Sequence, residues 1–579
     1  MTPALRLTRL VLRQHRVALA FVLALFAIGT VALTATEPIL RRVASIGPSS
    51  YDLYLLQVAY GPKYPDLAMQ AIPLVAAVFV GFRLVGREMR DGTAAFAWTQ
   101  GYGKNRWLLG KLAVVSAVLV PAAAVFGLLF GWWYRVYIPA TGYFAMHAFA
   151  LYAPSLAGWM LAGLTLGMMA GAVTRGAALG EWLTLAGWIA LHAGVTVGSA
   201  SMPARDFWAL QFAQLAILLS LAVLFTVVTI WQIEGLPAIP GMPRFLRAVP
   251  WPAERSAARL AAGSPGSLAS RSRAGASRPS LAGAVRAAWR QHRAGLAAAV
   301  GLLAVVAVAL LVTGLHIQAE PAALRPQPGN LNDPGSTGND NLILPALLPF
   351  IIGATLGATV TVRDLAWGTA AFAWTQGIGR VRWISGKLVA VGSVLALAAV
   401  ACGLVFQWWD RPYVNLRLTE PQFALYPPVF AGWTLACFAF AAFLGAVLRR
   451  RTAATLICVA VMMPLAVAHA ELLRPRYFPL ATAVNTLPTG GIVVGSYIGE
   501  PDGQRLTART AQHVQNVIGQ IDSNTAFHQA LARMHVALFW LYQPASRFWE
   551  LQALESAGLL VMAVAFAIAT IWIVSRREI

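Results

Sequence analysis

Few ionisable or amide side chains fall inside the apolar runs of this sequence, and those that do are spaced to share helix faces. Gln211 and Gln214 lie three residues apart, as do Gln552 and Glu555, while Glu181 and His192 occupy another run. A spacing of three puts both members on one side of a helix. Because such groups are costly in hydrocarbon, Gln211, Gln214, Gln552, Glu555 and His192 are candidates for a substrate pathway; the other reading is hydrogen bonding between neighbouring helices. Glu555 is the sharper case, since a carboxylate can meet a cationic group on a substrate. Glu181, near the start of its run, is placed to pair with Arg175. No nucleophile and base stand together, and no catalytic residue is expected. His513, His528 and His535 are too widely spaced for one metal site on a helix face. Gly103-Lys104-Asn105 and Gly110-Lys111-Leu112 lack the preceding glycine and the Ser or Thr of a phosphate-binding loop. No cofactor is therefore expected in this chain, and if ATP drives it, another chain hydrolyses the nucleotide.

The elements that must position these residues are membrane helices. Hydrophobic residues make up 58% of the 579 positions and charged residues 11%, with a mean hydropathy of +0.64. A soluble domain has roughly half apolar and a quarter charged residues. The apolar runs reach the length of about 20 residues that a helix needs to cross a bilayer. Six runs occupy 17–34, 68–85, 112–133, 152–173, 178–197 and 210–233, and six more 294–315, 342–362, 388–409, 428–447, 453–470 and 551–574. The expected fold is an all-α polytopic membrane protein of 12 transmembrane helices. The net charge of +22 follows from topology rather than nucleic-acid binding, because the basic residues gather in alternate loops. The positive-inside rule then places both termini in the cytoplasm, and the excess of arginine over lysine reads as a bacterial genome, so a bacterial cell membrane is expected. Arg6, Arg9, Arg13 and Arg16 precede the first run at helical spacing and predict an interfacial helix over 4–16. No cleaved leader is expected there. Cys402, Cys437 and Cys458 all lie in apolar runs, so no external disulfide framework is available.

The chain is a tandem duplicate. The stretch GTAAFAWTQG occurs without mismatch at 92–101 and 368–377, each time between the second and third apolar runs. At the same offset Trp132, Trp133, Arg135 and Tyr137 fall on Trp408, Trp409, Arg411 and Tyr413. Gly158-Trp159 matches Gly432-Trp433, Phe207-Trp208 matches Phe548-Trp549, and Arg13–Arg16 repeats as Arg290–Arg293. Each half has an even number of spans, so the repeats are parallel. The domains expected are a first half at 1–233, a flexible basic linker at 234–280, and a second half at 281–579. The second half carries an external insertion at about 471–547, turn-rich at first and then helical from about 508 to 541.

Read in full, REMRDGTAAFAWTQGYGKNRWLLGKL and VRDLAWGTAAFAWTQGIGRVRWISGKL resemble the cytoplasmic coupling loop of ABC-2 type exporter permeases. Its pattern is an acidic residue, Gly-Thr, a short apolar helix, a small-residue turn, a basic residue and Gly-Lys opening the next span. Glu88, Gly92, Thr93, Arg106, Gly110 and Lys111 match it in the loop at 87–111; Asp364, Gly368, Thr369, Arg382, Gly386 and Lys387 match it in the loop at 363–387. The resemblance, nearest to actinobacterial drug and antibiotic exporter permeases, implies two tandem six-helix ABC-2 halves. It also implies docking of both loops on an ABC ATPase subunit, in two copies, which binds ATP and Mg. Phe96, Trp98, Phe372 and Trp374 give each loop an aromatic knob for such docking, or for anchoring at headgroup depth. The implied activity is efflux of an amphipathic compound by alternating access. Expected partners are that ATPase and membrane lipid, with no nucleic acid. The alternative is a proton-coupled transporter of the major facilitator type, whose usual Gly-x-x-x-Asp-x-x-Gly-Arg loop is missing here.

Overall fold

The computed structural model describes residues 3–45, 65–94, 98, 103–135, 149–176, 179–196, 206–234, 281–319, 340–366, 379–418, 421–485, 491–507, 510, 514 and 524–576. The linker beyond residue 234, Phe96, Gly368, Thr369, Phe372, Trp374 and His513 lie outside the described residues. The first half begins with α1 (Pro3–Ser45). Then α2 (Pro65–Ala76) runs through a π turn (Ala77–Gly81) into α3 (Phe82–Asp91), followed by α4 (Lys104–Tyr134), α5 (Ala153–Val173), α6 (Leu179–Thr196) and α7 (Phe207–Glu234). The second half repeats the order as α8 (Leu281–Ala319), α9 (Asp340–Ala366), α10 (Arg380–Trp409), α11 (Pro427–Leu448) and α12 (Arg451–Ala468). The insertion follows and contains α13 (Asn524–Arg533), and α14 (Phe548–Arg576) comes last. Among the described residues eleven helices are long and apolar enough to cross a membrane. The twelfth expected span is α6, 18 residues long, where Glu181, Trp182, Trp188 and His192 dilute the apolar character.

Two expectations about the spans change. The interfacial helix at 4–16 is not a separate element, because α1 is one helix of 43 residues. Nothing between Arg9 and Leu25 breaks the backbone ladder, so the basic segment continues straight into the span. Its Val11 and His15 are buried, while Arg9, Arg13 and Arg16 are exposed. The fifth span of the second half also runs further than expected, through a π turn (His469–Leu473) and a 3-10 turn to Arg476.

Each half is built around its fourth span. In the first half α5 packs against α2, α3, α4, α6 and α7; in the second α11 packs against α9, α10, α12 and α14. Lipid tails are as apolar as leucine, so helices in a membrane associate through close packing at small residues. Gly163, Gly167 and Gly171 supply that stripe on α5. A Cβ at Gly167 would overlap the Ala77 carbonyl oxygen on the π turn, and one at Gly357 would overlap the Phe438 carbonyl oxygen in the second half. The halves meet reciprocally: α6 packs on α8, and α1 on α12. The fifth span of each half thus lies on the first span of the other.

The insertion departs from the helical pattern expected at 508–541. It holds a three-stranded antiparallel sheet in the order β1 (Ala481–Val484), β3 (Ala537–Gln543), β2 (Ile492–Gly499). The helix α13 stops at Arg533, and His535 turns the chain with φ 53°. The following ALFWLYQ is rich in the aromatic residues that strands favour. Val514, Leu531, Val536, Leu538 and Trp540 close a separate small core, and Gln543 Nε2 donates to Pro475 O at 3.0 Å, tying β3 to the end of the span.

Replacing Gly167 by leucine should force α5 away from the π turn and abolish recovery of the monodisperse chain from detergent. At Gly301 an added Cβ would meet nothing within 4 Å, so this position should accept alanine with a gain of up to about 1 kcal/mol in helix propensity. Fluorescence-detected size exclusion after heating reads both outcomes.

Candidate functional site

The two duplicated loops leave the bundle at its termini-bearing end, and each is rooted by a buried lysine. In the first half, α3 ends at Asp91 and Gly92 takes the left-handed conformation (φ 74°) that glycine adopts at helix C-termini. One turn back stands Glu88. Lys111, two turns into α4 and 1% exposed, places its Nζ 2.6 Å from Glu88 Oε1 and donates to Leu84 O at 3.1 Å. The same ammonium lies 4.4 Å above the Trp107 ring. It therefore clips the last turn of the second span to the third. In the second half Lys387 pairs with Asp364 and lies 4.3 Å above Trp383. Gln291 Nε2 donates to both Asp364 oxygens, at 2.7 and 2.9 Å. The shorter aspartate takes its second partner from α8, the first span of its own half. His15 and His292, the third residues of the two Arg-Gln-His-Arg segments, are buried within the fields of Lys111 and Lys387.

Basic residues opening the third span cap the sixth. Lys104 Nζ donates to Ile233 O at 3.2 Å, and Arg380 donates to Ser575 O at 3.4 Å. A cation at a helix C-terminus is favoured by the unpaired carbonyls and the helix dipole. Trp98 sits edge-on to Trp107 at 5.8 Å, with Lys104 Nζ 5.1 Å from its ring centre. Thr93, Arg106 and Arg382 are exposed.

The intramembrane candidates form two polar clusters toward the opposite end. Gln211 Nε2 donates to Phe149 O at 2.7 Å, and Ser155 Oγ lies 2.6 Å from Gln211 Oε1 and 2.5 Å from Gln214 Oε1, its single proton going to one of them at a time. Gln552 Nε2 likewise donates to Phe423 O at 2.7 Å. These amides join the sixth span to the fourth span and the segment before it. Glu555 takes a cation from its own chain: Arg474 Nε donates to Oε2 at 3.0 Å, and a second Arg474 nitrogen lies 3.3 Å from Oε1. His469 Nδ1 lies 3.5 Å from the same carboxylate and its other ring nitrogen meets Tyr477. Burial, and then the Glu555 charge, push the Tyr477 phenol above its ordinary range. His192 stands against Trp159 at 5.2 Å, as His469 stands on Trp433 at 6.4 Å. It helps line a cavity of about 10 Å³ with Gln70, Pro73, Trp159 and Trp188.

Glu181 does not pair as its sequence neighbours suggest. Its carboxylate meets Arg83 of α3 at 3.5 Å and Arg451 of α12, in the other half. Arg175 occupies a left-handed turn (φ 51°). Nothing in the local sequence links Arg83 or Arg451 to Glu181, and sequence reasoning misses both. For His15 and His292 the duplicated Arg-Gln-His-Arg is an available signal.

Lys387→Met should leave Asp364 buried without its cation and lower stability by about 3–5 kcal/mol. The double variant with Asp364→Asn should recover most of that loss. Thermal unfolding of the four forms of this cycle gives the coupling directly; equal losses in the single and double variants would show that the pair is not the source.

The model of the ABC-2 membrane transporter related family matches residues 17–198 and 300–474. The two matched regions contain both loop roots and run through the fifth span of each half, and the second ends just before the insertion's sheet. A search of curated proteins finds no match to the chain. With two matched segments covering corresponding parts of both halves, the chain belongs to the ABC-2 membrane transporter related family.

Proposed function

We propose that this multi-pass permease exports an amphipathic compound, and that a separate ATPase subunit drives it through the two duplicated loops. The observation that carries the reading is the paired lysine root. Glu88–Lys111 and Asp364–Lys387 fix the base of each duplicated loop to the second and third spans of its half. A push on either loop is thus delivered to a span that packs on the central fourth helix. Identity of GTAAFAWTQG in the two loops suits two copies of one ATPase surface, engaged through Glu88, Gly92, Thr93, Phe96, Trp98 and Arg106 in one half. The corresponding set in the other is Asp364, Gly368, Thr369, Phe372, Trp374 and Arg382. ATP and Mg would be held by that subunit. The polar residues Gln211, Gln214, Gln552, Glu555 and His192 would line or brace the path at the far end. With the termini in the cytoplasm, the loops face the nucleotide pool and the β-sheet insertion faces outside.

Purification of the tagged chain from its native membranes in mild detergent should bring down an ATPase at about two copies per chain, as a duplicated docking surface requires. Changing Phe96, Trp98, Phe372 and Trp374 together to alanine should remove it while leaving the permease folded. Recovery of the chain alone, still transporting in liposomes without ATP, would contradict the proposal.

A further inference from the structure

The charges at the junction of the halves are unequal, and the inequality points to the kind of molecule handled there. Glu181 is buried at 6% exposure near the start of α6, and it serves two guanidiniums: Arg83 from its own half and Arg451 from the other. Arg90 adds a further positive field on Arg83. Among the described residues Glu181 is the only carboxylate that forms an ion pair with either arginine. Arg451 Nε is buried and finds no hydrogen-bond partner among the described residues.

The duplication shows that this cluster is not a requirement of the fold. The register of the loops places Arg83 on Thr359, and the register of Gly158-Trp159 with Gly432-Trp433 places Glu181 on Thr455. The second register also aligns Arg175 with Arg449, both left-handed with φ 51°. In the second half the two threonines simply bond back to their own helices, at Thr355 O and Arg451 O. Arg451 itself falls on Ala177. None of the three charged residues has an ionisable counterpart in the other half, so among the described residues this cluster occurs once.

Any parting of the halves at this end must break the Arg451–Glu181 contact. Glu181 then stays with Arg83, and Arg451 is left as a partly buried cation. A phosphate, sulfate or carboxylate headgroup matches a guanidinium with two parallel hydrogen bonds. The helices around it, α6 and α12, expose Leu183, Ile457 and Val461, which suits an apolar tail. We infer that Glu181 is the internal stand-in for the headgroup of an anionic amphipathic substrate, which binds Arg451 and Arg83 when the halves part at the termini-bearing end. This inference rests on the exporter reading for its direction, and names the substrate class.

The test uses the full chain in nanodiscs of zwitterionic lipid, titrated with octyl phosphate and with octyltrimethylammonium, empty nanodiscs serving as the blank. Octyl phosphate should bind saturably, one per chain, and octyltrimethylammonium should only partition. Glu181→Gln removes the internal competitor and should tighten octyl phosphate about tenfold. Arg451→Gln should abolish saturable binding, and Arg451→Lys should keep it in weakened form. Absence of saturable octyl phosphate binding in both the native chain and Glu181→Gln would overturn the inference. So would saturable binding of octyltrimethylammonium that Glu181→Gln removes, since it would make Glu181 itself the substrate's partner. Neither result depends on ATP, so a chain that still brings down its ATPase but fails this titration loses the substrate class and keeps the exporter reading.

Discussion

A lysine that must cross from one helix to its neighbour to find a carboxylate inside a membrane bundle is the constraint on which the rest depends. Lys111 and Lys387 are almost fully buried, at 1% and 3% exposure, and an unpaired ammonium there would be costly. Each reaches across a duplicated loop to the acid on the preceding span. The loop is thereby closed at its base whatever its tip does. Aromatic rings beneath both ammoniums, Trp107 and Trp383, add attraction that water would otherwise screen. Where the acid is the shorter aspartate, Gln291 donates to both of its oxygens. The two roots therefore reach the same end by different side chains.

Duplication sets the frame, and departures from it carry the specific information. Small residues bring the second span against the fourth in both halves, and a tryptophan on the fourth span meets a histidine of the fifth in both. Cations at the start of the third span cap the sixth in both. The reciprocal packing of first and fifth spans reproduces, within one chain, the contact that two copies of a half would make around a two-fold axis. Against this, Ser155 serves two glutamines in the first half where Arg474 serves Glu555 in the second. Among the described residues the ion cluster at Glu181 and the β-sheet occur in one place each, without a counterpart in the other half. The insertion is anchored through Gln543 next to Arg474, so its sheet and the Glu555 cluster share one support.

Much of this is legible in the sequence because membrane helices announce themselves by length and apolarity, and because an exact repeat needs no structural knowledge. The pairing of the amides with the fourth-span region is open to reading as helix–helix bonding, and Gln211 and Gln552 do make such bonds. What cannot be read is non-local. Glu181 and Arg451 are far apart in the chain and meet only because the halves pack fifth span to first. The strand at Ala537–Gln543 is hidden because its apolar residues follow a real helix without a strong breaker, and His535 supplies the turn in a left-handed conformation that is uncommon outside glycine. The join of the basic N-terminal segment to the first span shows the opposite error, a boundary expected from a change in polarity where the backbone has no reason to stop.

The central claim is that the two loops are equivalent levers on two halves that move against each other. Spin labels introduced at Asn105 and Val381, exposed positions that correspond in the two halves and stand outside the proposed docking set, would report the separation of the loop ends, with Cys402, Cys437 and Cys458 buried away from the label. The measurement is the label-to-label distance distribution by pulsed electron resonance, on the chain bound to its ATPase, without nucleotide and with ATP trapped. The account predicts a shift between the two states that is lost when the four loop aromatics are removed. An unchanged distribution during active hydrolysis would contradict it.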